Sequence, residues 1–360
     1  MENATTTLST LTMGIDLGDK WSHLCVLDDG GTVVEEGRIP TTPGAFRRRF
    51  AGLPPARIAL EVGTHSPWTS TLLADLGHEV LVANPRKLRM IFRSDSKNDR
   101  CDAEQLARVA RMDPRLLSPI EHRGRKASID LAVLRSRDSL VAARTQLINH
   151  VRGTLKAFGL RAKTCSTASF DKQAPDVIPA EWQPALAAIV STIGTLTATI
   201  KEYDKCIARL SREQYPQTDL LRQVTGVGPV TALCYVLTLE DPGRFNKSRC
   251  VGAFLGLRPR QRQSGSSDPE LRITKAGDRD LRRLLVQSAQ YILGPFGKDT
   301  DLQRWGLALA ARGGKSAKKR AVVAVARKLA VLLHRLWVTG EVYEPRRHTK
   351  TIERRRALPA

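Results

Sequence analysis

The periods of apolar and polar positions change along the chain and divide it. Met13 to Gly18 (MGIDLG) is a short apolar run ending in an acid, and SHLCVLD is a second run just beyond it. The turn Asp28-Asp29-Gly30-Gly31 separates that run from TVVEEGRIP, so two β-rich stretches flank a glycine-containing turn and predict a hairpin. ARIALEV (Ala56 to Val62) and EVLVANP read as buried strands, the latter closed by Pro85. Between them THSPWTSTLLADLGH carries helix punctuation: Ser66 as N-cap, Pro67 in the first turn and Gly77 at the end. KNDRCDAEQLARVARM has helical period. Three strands joined by hairpin-type turns, then alternating strand and helix, predict an α/β domain over residues 1–115.

From about residue 120 to 160, Leu131, Leu134, Leu140, Val141, Leu147, Ile148, Val151 and Leu155 recur as an apolar helical stripe with charges between them. The stretch near 160–180 is polar, holds Ser, Thr and Pro, and reads as a linker. A second long helix is expected from Trp182 to Arg212. Residues 116–215 thus form a helical connector, either an oligomerising coiled-coil arm or a bundle packed on its own domain. Residues 216–345 read as a mainly α domain containing LLRQVTGVGPVTALCYVL, a Ser/Gly-rich patch from Gln263 to Asp268, and AKKRAVVAVARKLAVLLHRLW. Residues 346–360 read as a disordered basic tail. No solenoid-type repeat is visible.

Charge narrows the function. The 360 residues hold 58 Lys and Arg against 36 Asp and Glu, a formal charge of +22, which calls for a polyanionic partner. No run approaches the roughly 18 uninterrupted apolar residues of a transmembrane helix, and the N-terminus lacks the features of a signal peptide. That favours nucleic acid over a membrane surface, and a cytoplasmic location. The six cysteines have no metal-ligand spacing and read as free thiols. The seven histidines show no zinc spacing and receive no role.

Four carboxylates stand out by position. Asp16 ends the first strand and Glu61 ends ALEV, where an open α/β sheet gathers functional groups if the strands are parallel. Asp99 and Asp102, spaced i, i+3, share a helix face. Singly they read as a turn residue, an exposed strand-end acid and a helix-start pair favoured by the dipole. Together they suit Mg²⁺, a hard cation that takes carboxylate oxygens. Two such ions about 4 Å apart stabilise both the attacking and the leaving oxygen of a phosphoryl transfer.

The last third carries the DNA-affinity signal. Arg244 to Arg283 holds eleven basic residues against four acids, and Arg312 to Arg356 fourteen against three. Arg258, Arg260, Arg262, Arg272, Lys275, Arg279, Arg282 and Arg283 bracket the Ser/Gly patch, and guanidinium groups grip phosphates bidentately. Gly226 and Gly228, between two apolar helical runs, suggest a helix–hairpin–helix turn whose backbone N–H groups approach a phosphate; the alternative is a tight turn between packed helices. No G-K-[ST] follows, so no ATP use is expected.

GIDLG, ALEVGTHSPW and KNDRCDAEQLA, followed by TGVGPVTA, FNKSRCVGAFLGLRPRQRQSG and ITKAGDRDLRRLL in that order, resemble the DEDD-type transposases of insertion sequences, relatives of the pilin-gene invertase Piv and of MooV. The resemblance covers most of 13–110 and 218–340. It implies an RNase H-like (RuvC-like) fold for the first domain and a DEDD tetrad at Asp16, Glu61, Asp99 and Asp102. It also implies a nucleophilic serine at Ser264, with Ser266 and Ser267 close by; the neighbouring SSDPEL is more acidic than the family pattern. Implied with these are Mg²⁺ (or Mn²⁺), donor and target DNA duplexes, a structured guide (bridge) RNA, a homo-tetramer on DNA, and a bacterial, nucleoid-associated setting. A metal-activated serine would form a phosphoserine link to DNA that conserves the phosphodiester energy. The competing readings are a RuvC-like Holliday-junction nuclease acting by hydrolysis, and a nucleic-acid-binding protein without catalysis.

Overall fold

A computed structural model of the chain describes residues 11–86, 99–162, 164–269 and 271–347. The expected tail lies outside the described residues from 348 onward, as does the KN of KNDRCDA. The chain forms two compact units, Met1–Arg123 and Gly124–Ala360.

The first unit is a five-stranded mixed sheet with helices on both faces. Its strands are β1 (Thr12–Leu17), β2 (Trp21–Leu27), β3 (Val33–Pro40), β4 (Arg57–Glu61) and β5 (Glu79–Ala83), in the spatial order β3-β2-β1-β4-β5. β1, β2 and β3 form an antiparallel meander, whereas β1–β4 and β4–β5 pair in parallel. The side-chain period of two sorts each strand onto two faces. Met13, Ile15, Leu24, Val26, Ile58, Leu60 and Val82 turn to one face and pack with α1 (Pro43–Phe50) and α2 (Ser66–Asp75) through Phe46, Phe50, Leu72 and Leu73. Cys25, Leu27, Ala59 and Ala83 turn to the other, beneath α3 (Asp99–Met112) and its Ala103, Leu106, Ala107 and Ala110.

Two details differ from expectation. Helix α1 follows the hairpin unannounced, because Pro43 and Gly44 read as a turn and Arg47 to Arg49 mask the buried Phe46/Phe50 pair; Thr42 caps it by accepting the Ala45 N–H at 3.3 Å. Ser66 is the first residue of α2 rather than its cap, and its hydroxyl donates to the Gly63 carbonyl at 2.8 Å.

The second unit opens with α4 (Arg125–Ala157), which runs antiparallel to α6 (Gln183–Gln214). Arg137–Asp204 at 2.6 Å and Arg144–Thr197 at 3.2 Å bridge the pair at a constant register. The stretch expected to be a linker is instead packed: α5 (Phe170–Gln173) and two 3₁₀ turns set Phe170, Ala174 and Ile178 against Ile148, Val151, Leu155, Leu186 and Val190. Their apolar residues are spaced irregularly, so no period announced them. One helix, Ala180–Gln214, is after all long and apolar enough to cross a membrane, with a mean hydropathy of 1.3 over 18 residues. Its Ala, Ile, Leu and Val residues raise the mean, and the Ser, Thr and Gly between them keep any continuous apolar run short. In the fold Leu186, Val190, Ile193, Ile200 and Ile207 are buried.

The rest of the unit packs α7 (Gln217–Arg222), α8 (Pro229–Leu239), α9 (Arg249–Phe254), α10 (Arg279–Leu293), α11 (Asp301–Ala311) and α12 (Ala317–Thr339) around one core. Helix α8 is buried from Thr231 to Leu239, and its Tyr235 hydroxyl donates to the Ala330 carbonyl at 2.7 Å.

Candidate catalytic and nucleic-acid sites

The acidic site follows from the parity of the sheet. Asp16 shares the face of Gly14, Glu61 that of Ala59, and His23 that of Cys25, so all three side chains turn toward α3. Parallel pairing of Ile15 with Leu60 sets Asp16 and Glu61 side by side at the carboxyl ends of adjacent strands. Gly14 lets the helix come close: a Cβ there would stand 1.9 Å from the Ala103 carbonyl oxygen and 2.6 Å from the Ala107 nitrogen. The first turn of α3, with Asp99 and Asp102, is thereby brought over the end of β1.

The four sequence-predicted acids therefore converge. The Asp16 carboxyl is pushed up from 3.8 to about 6, first by burial and then by the charges of Asp99, Asp102 and Glu61, with His23 opposing. The first-turn location of Asp99 and Asp102 also suits the helix dipole. His23 is a residue the sequence reading passed over. It pairs with Asp16 across the β1–β2 hairpin, and its Nδ1 lies 3.9 Å from Asp99 Oδ2. Asp16, His23 and Asp99 each offer a ligand atom within 4.8 Å of the others. Hairpin register was the signal that could have found it; spacing between histidines was the wrong test. Carboxylate oxygens with one imidazole nitrogen are a donor set for a divalent cation.

In the second unit Ser264 sits at the tip of a β-ribbon. Its N–H donates to the Ser267 carbonyl at 3.1 Å, and the Ser267 N–H returns to the Ser264 carbonyl at 3.0 Å. Gly265, with φ of +56°, takes the first central position, as a II′ turn demands. Ser264, Ser266 and Ser267 are all exposed. Below the tip Pro259 bridges Ile273, the Arg260 N–H donates to the Arg272 carbonyl at 3.0 Å, and the Thr274 N–H to the Arg258 carbonyl at 2.9 Å.

The basic residues divide by what they touch. Arg258, Arg260, Arg262, Arg272, Lys275 and Arg279 are exposed. Arg282 is engaged internally, donating to the carbonyls of Leu255, Ala276 and Asp278 at 3.1, 2.7 and 3.3 Å, and so fastens the ribbon base to α10. Arg283 pairs with Asp138 at 2.8 Å. Arg135 of α4 reaches Asp278, the N-cap of α10, at 3.6 Å and Asp280 at 3.4 Å. Gly226 and Gly228 form the turn between α7 and α8, Gly226 with φ of +87° and Gly228 as the N-cap of α8.

The transposase family model for DEDD proteins of the IS110 type matches residues 13–159, and the model described as "Transposase IS116/IS110/IS902 family" matches residues 218–299. A protein of Pseudomonas aeruginosa named "Probable family 20 transposase" is 30% identical over 303 residues, covering 82% of this chain and 88% of its own. The chain belongs to the IS110/IS116/IS902 family of insertion-sequence transposases. The transposase for insertion sequence element IS1111A of Coxiella burnetii is 28% identical over 340 residues, covering 92% and 90% of the two chains. A pilin gene-inverting protein of Moraxella bovis is 23% identical over 276 residues, covering 75% and 76%. The first matched region of this transposase contains Asp16, Glu61, Asp99 and Asp102, and the second contains the Gly226–Gly228 turn and the serine ribbon.

Proposed function

We propose that this transposase cuts and rejoins DNA at an insertion-sequence junction by metal-assisted attack of the Ser264 hydroxyl on a phosphodiester. The observation that carries the reading is the approach of Asp16 and Glu61, at the strand ends, to Asp99 and Asp102 in the first turn of α3, with the Asp16 carboxyl raised to about 6 by burial and its acidic neighbours. Carboxylates so crowded repel one another, and a divalent cation relieves that cost. The strand order β3-β2-β1-β4-β5 supports an RNase H-like assignment for the first unit.

Asp16, Asp99, Asp102, Glu61 and His23 would hold the ion. Bound there, it would supply charge neutralisation for the pentavalent phosphorus and lower the cost of an alkoxide. The chain's own part is to position. The tight turn at Gly265 presents the Ser264 hydroxyl at an exposed tip; as its oxygen bonds to phosphorus it would give up its proton, the P–O bond to one deoxyribose would break and that sugar oxygen would leave as a hydroxyl, so the phosphoserine ester keeps the bond energy for religation. Arg258, Arg260, Arg262, Arg272, Lys275 and Arg279 orient the phosphates on either side. Arg282 and Arg283 act from beneath, one through the ribbon base and one through Asp138. The Gly226–Gly228 turn contributes backbone N–H groups to a further phosphate. A structured guide RNA and a homo-tetramer on two duplexes complete the proposal; the +22 charge suits a large polyanionic assembly.

Incubating the protein with Mg²⁺, element-encoded RNA and junction DNA tests the reading: a DNA-linked protein band is expected. Metal-dependent cleavage without such a band would favour hydrolysis, and no cleavage at all would favour a binding protein.

A further inference from the structure

Beside the Gly226–Gly228 turn lies an open groove of about 580 Å³, bounded by that turn, the start of α8 and the end of α10. The volume falls within the roughly 300–1,000 Å³ of small-ligand sites. Its walls differ in character. One end is cationic, with Arg222, paired to Asp219 at 3.1 Å, and Lys298, exposed and without an ion-pair partner among the described residues. Gly228 brings no side-chain cap to α8, so the first-turn N–H groups of that helix lack an intrahelical acceptor. The opposite wall is Tyr291, a residue 47% exposed. A Cβ on Gly226 would stand 3.3 Å from Tyr291 Cδ1, so the glycine lets the ring lie against the turn. Thr231 and Ser288 also line the groove. As whole residues they are 7% and 5% exposed.

A cationic end, an aromatic wall and two hydroxyl-bearing residues are the parts of a nucleotide site. We propose that this groove takes one unpaired nucleotide of a nucleic-acid strand. Its phosphate lies at the turn, between Arg222 and Lys298. Its base stacks on Tyr291, with the Thr231 and Ser288 hydroxyls meeting the sugar or the base edge. A base within a duplex is stacked on both faces and cannot offer itself to the ring, so the groove selects single-stranded segments. Stacking on one aromatic side chain tolerates any base, because every base has a π-face. The inference rests on the nucleic-acid-processing reading above but not on the serine or the metal.

The test measures binding of the full-length protein to fluorescein-labelled oligo-dT, oligo-U and a random duplex of equal length. Tyr291→Leu is expected to weaken single-strand binding about tenfold or more, Tyr291→Phe to preserve it, and both to leave duplex binding unchanged. The strand that suffers more, dT or U, identifies DNA or RNA as the source. Equal loss on duplex and single strand, or no loss on either, overturns the groove while leaving the transposase reading intact. Loss of duplex binding in the unsubstituted protein would instead count against that reading. Photo-crosslinking of the unsubstituted protein to a 5-iodouracil single strand gives an answer independent of folding: crosslinks at Tyr291 are expected, and crosslinks confined to other regions contradict the proposal.

Discussion

Asp16 and His23 face each other across the β1–β2 hairpin, and the imidazole lies between Asp16 and the exposed Asp99, 3.9 Å from the latter's carboxylate. The acidic site is therefore not purely acidic. One nitrogen donor sits among the oxygens, and its charge lowers the Asp16 pKa where the neighbouring carboxylates raise it. Replacing His23 by Ala should raise the Asp16 pKa and weaken Mn²⁺ binding more than Mg²⁺ binding, because imidazole suits the softer ion better. Calorimetric titration of each metal checks this. Equal losses for both ions would show that His23 acts only through its charge.

Asp16 should trade stability for function. Its carboxyl titrates at about 6 in the fold against 3.8 for the unperturbed group. A raised carboxyl pKa means that the unfolded chain releases its proton first. Without metal, stability contributed below 3.8 is lost as pH rises through about 6. Asp16→Asn should melt higher than the unsubstituted protein above about pH 6 in EDTA, by a few degrees, and this advantage should vanish in acid. Added Mn²⁺ should stabilise the unsubstituted protein and not the variant. Calorimetry over a pH series reads both effects.

Close approach at Gly14 positions α3, the helix that carries Asp99 and Asp102. Gly14→Ala drives a methyl into the Ala103 carbonyl and the Ala107 nitrogen, so α3 must shift from β1. A cost of about 1–3 kcal/mol is expected for such overpacking, with loss of strand cleavage as Asp99 and Asp102 move. Gly37, whose added Cβ would meet nothing within 4 Å among the described residues, is the control, and Gly37→Ala should cleave normally. Thermal melting and cleavage assays of the two variants decide it.

Binding should be dominated by phosphate contacts. If about six or more phosphates are neutralised, affinity falls by roughly 10³-fold between about 50 and 200 mM salt. Arg260→Ala should reduce the slope of that dependence by about one, whereas Arg282→Ala should act mainly by loosening the ribbon base. A salt titration of affinity for each variant separates the two.

Much of this was legible in the sequence because the signals were local. Strand runs with a turn at Asp28 to Gly31, the i, i+3 pair Asp99/Asp102 and the long stripes of α4 and α6 all depend on near neighbours. What escaped depended on pairing across distance. His23 gains its meaning only from register with Asp16, and Arg282 only from the three carbonyls brought to it by the ribbon base. The packed segment around Phe170 reads as a linker in sequence because its polar and proline content hides three buried residues that fill the end of the helical pair. Helix α1 was lost for the same reason, with arginines on its open side and two phenylalanines underneath.

Ser264 tests the central claim most directly. Protein incubated with Mg²⁺, RNA and junction DNA is digested, and the peptide carrying a nucleotide is sequenced by mass spectrometry. The account predicts a phosphoester on Ser264, lost in Ser264→Ala and in Asp16→Ala although both proteins still bind DNA. A nucleotide on Ser266 or Ser267 would move the nucleophile along the hairpin tip. An adduct that persists when all three serines are alanine, or free DNA ends with no adduct, would contradict the serine mechanism.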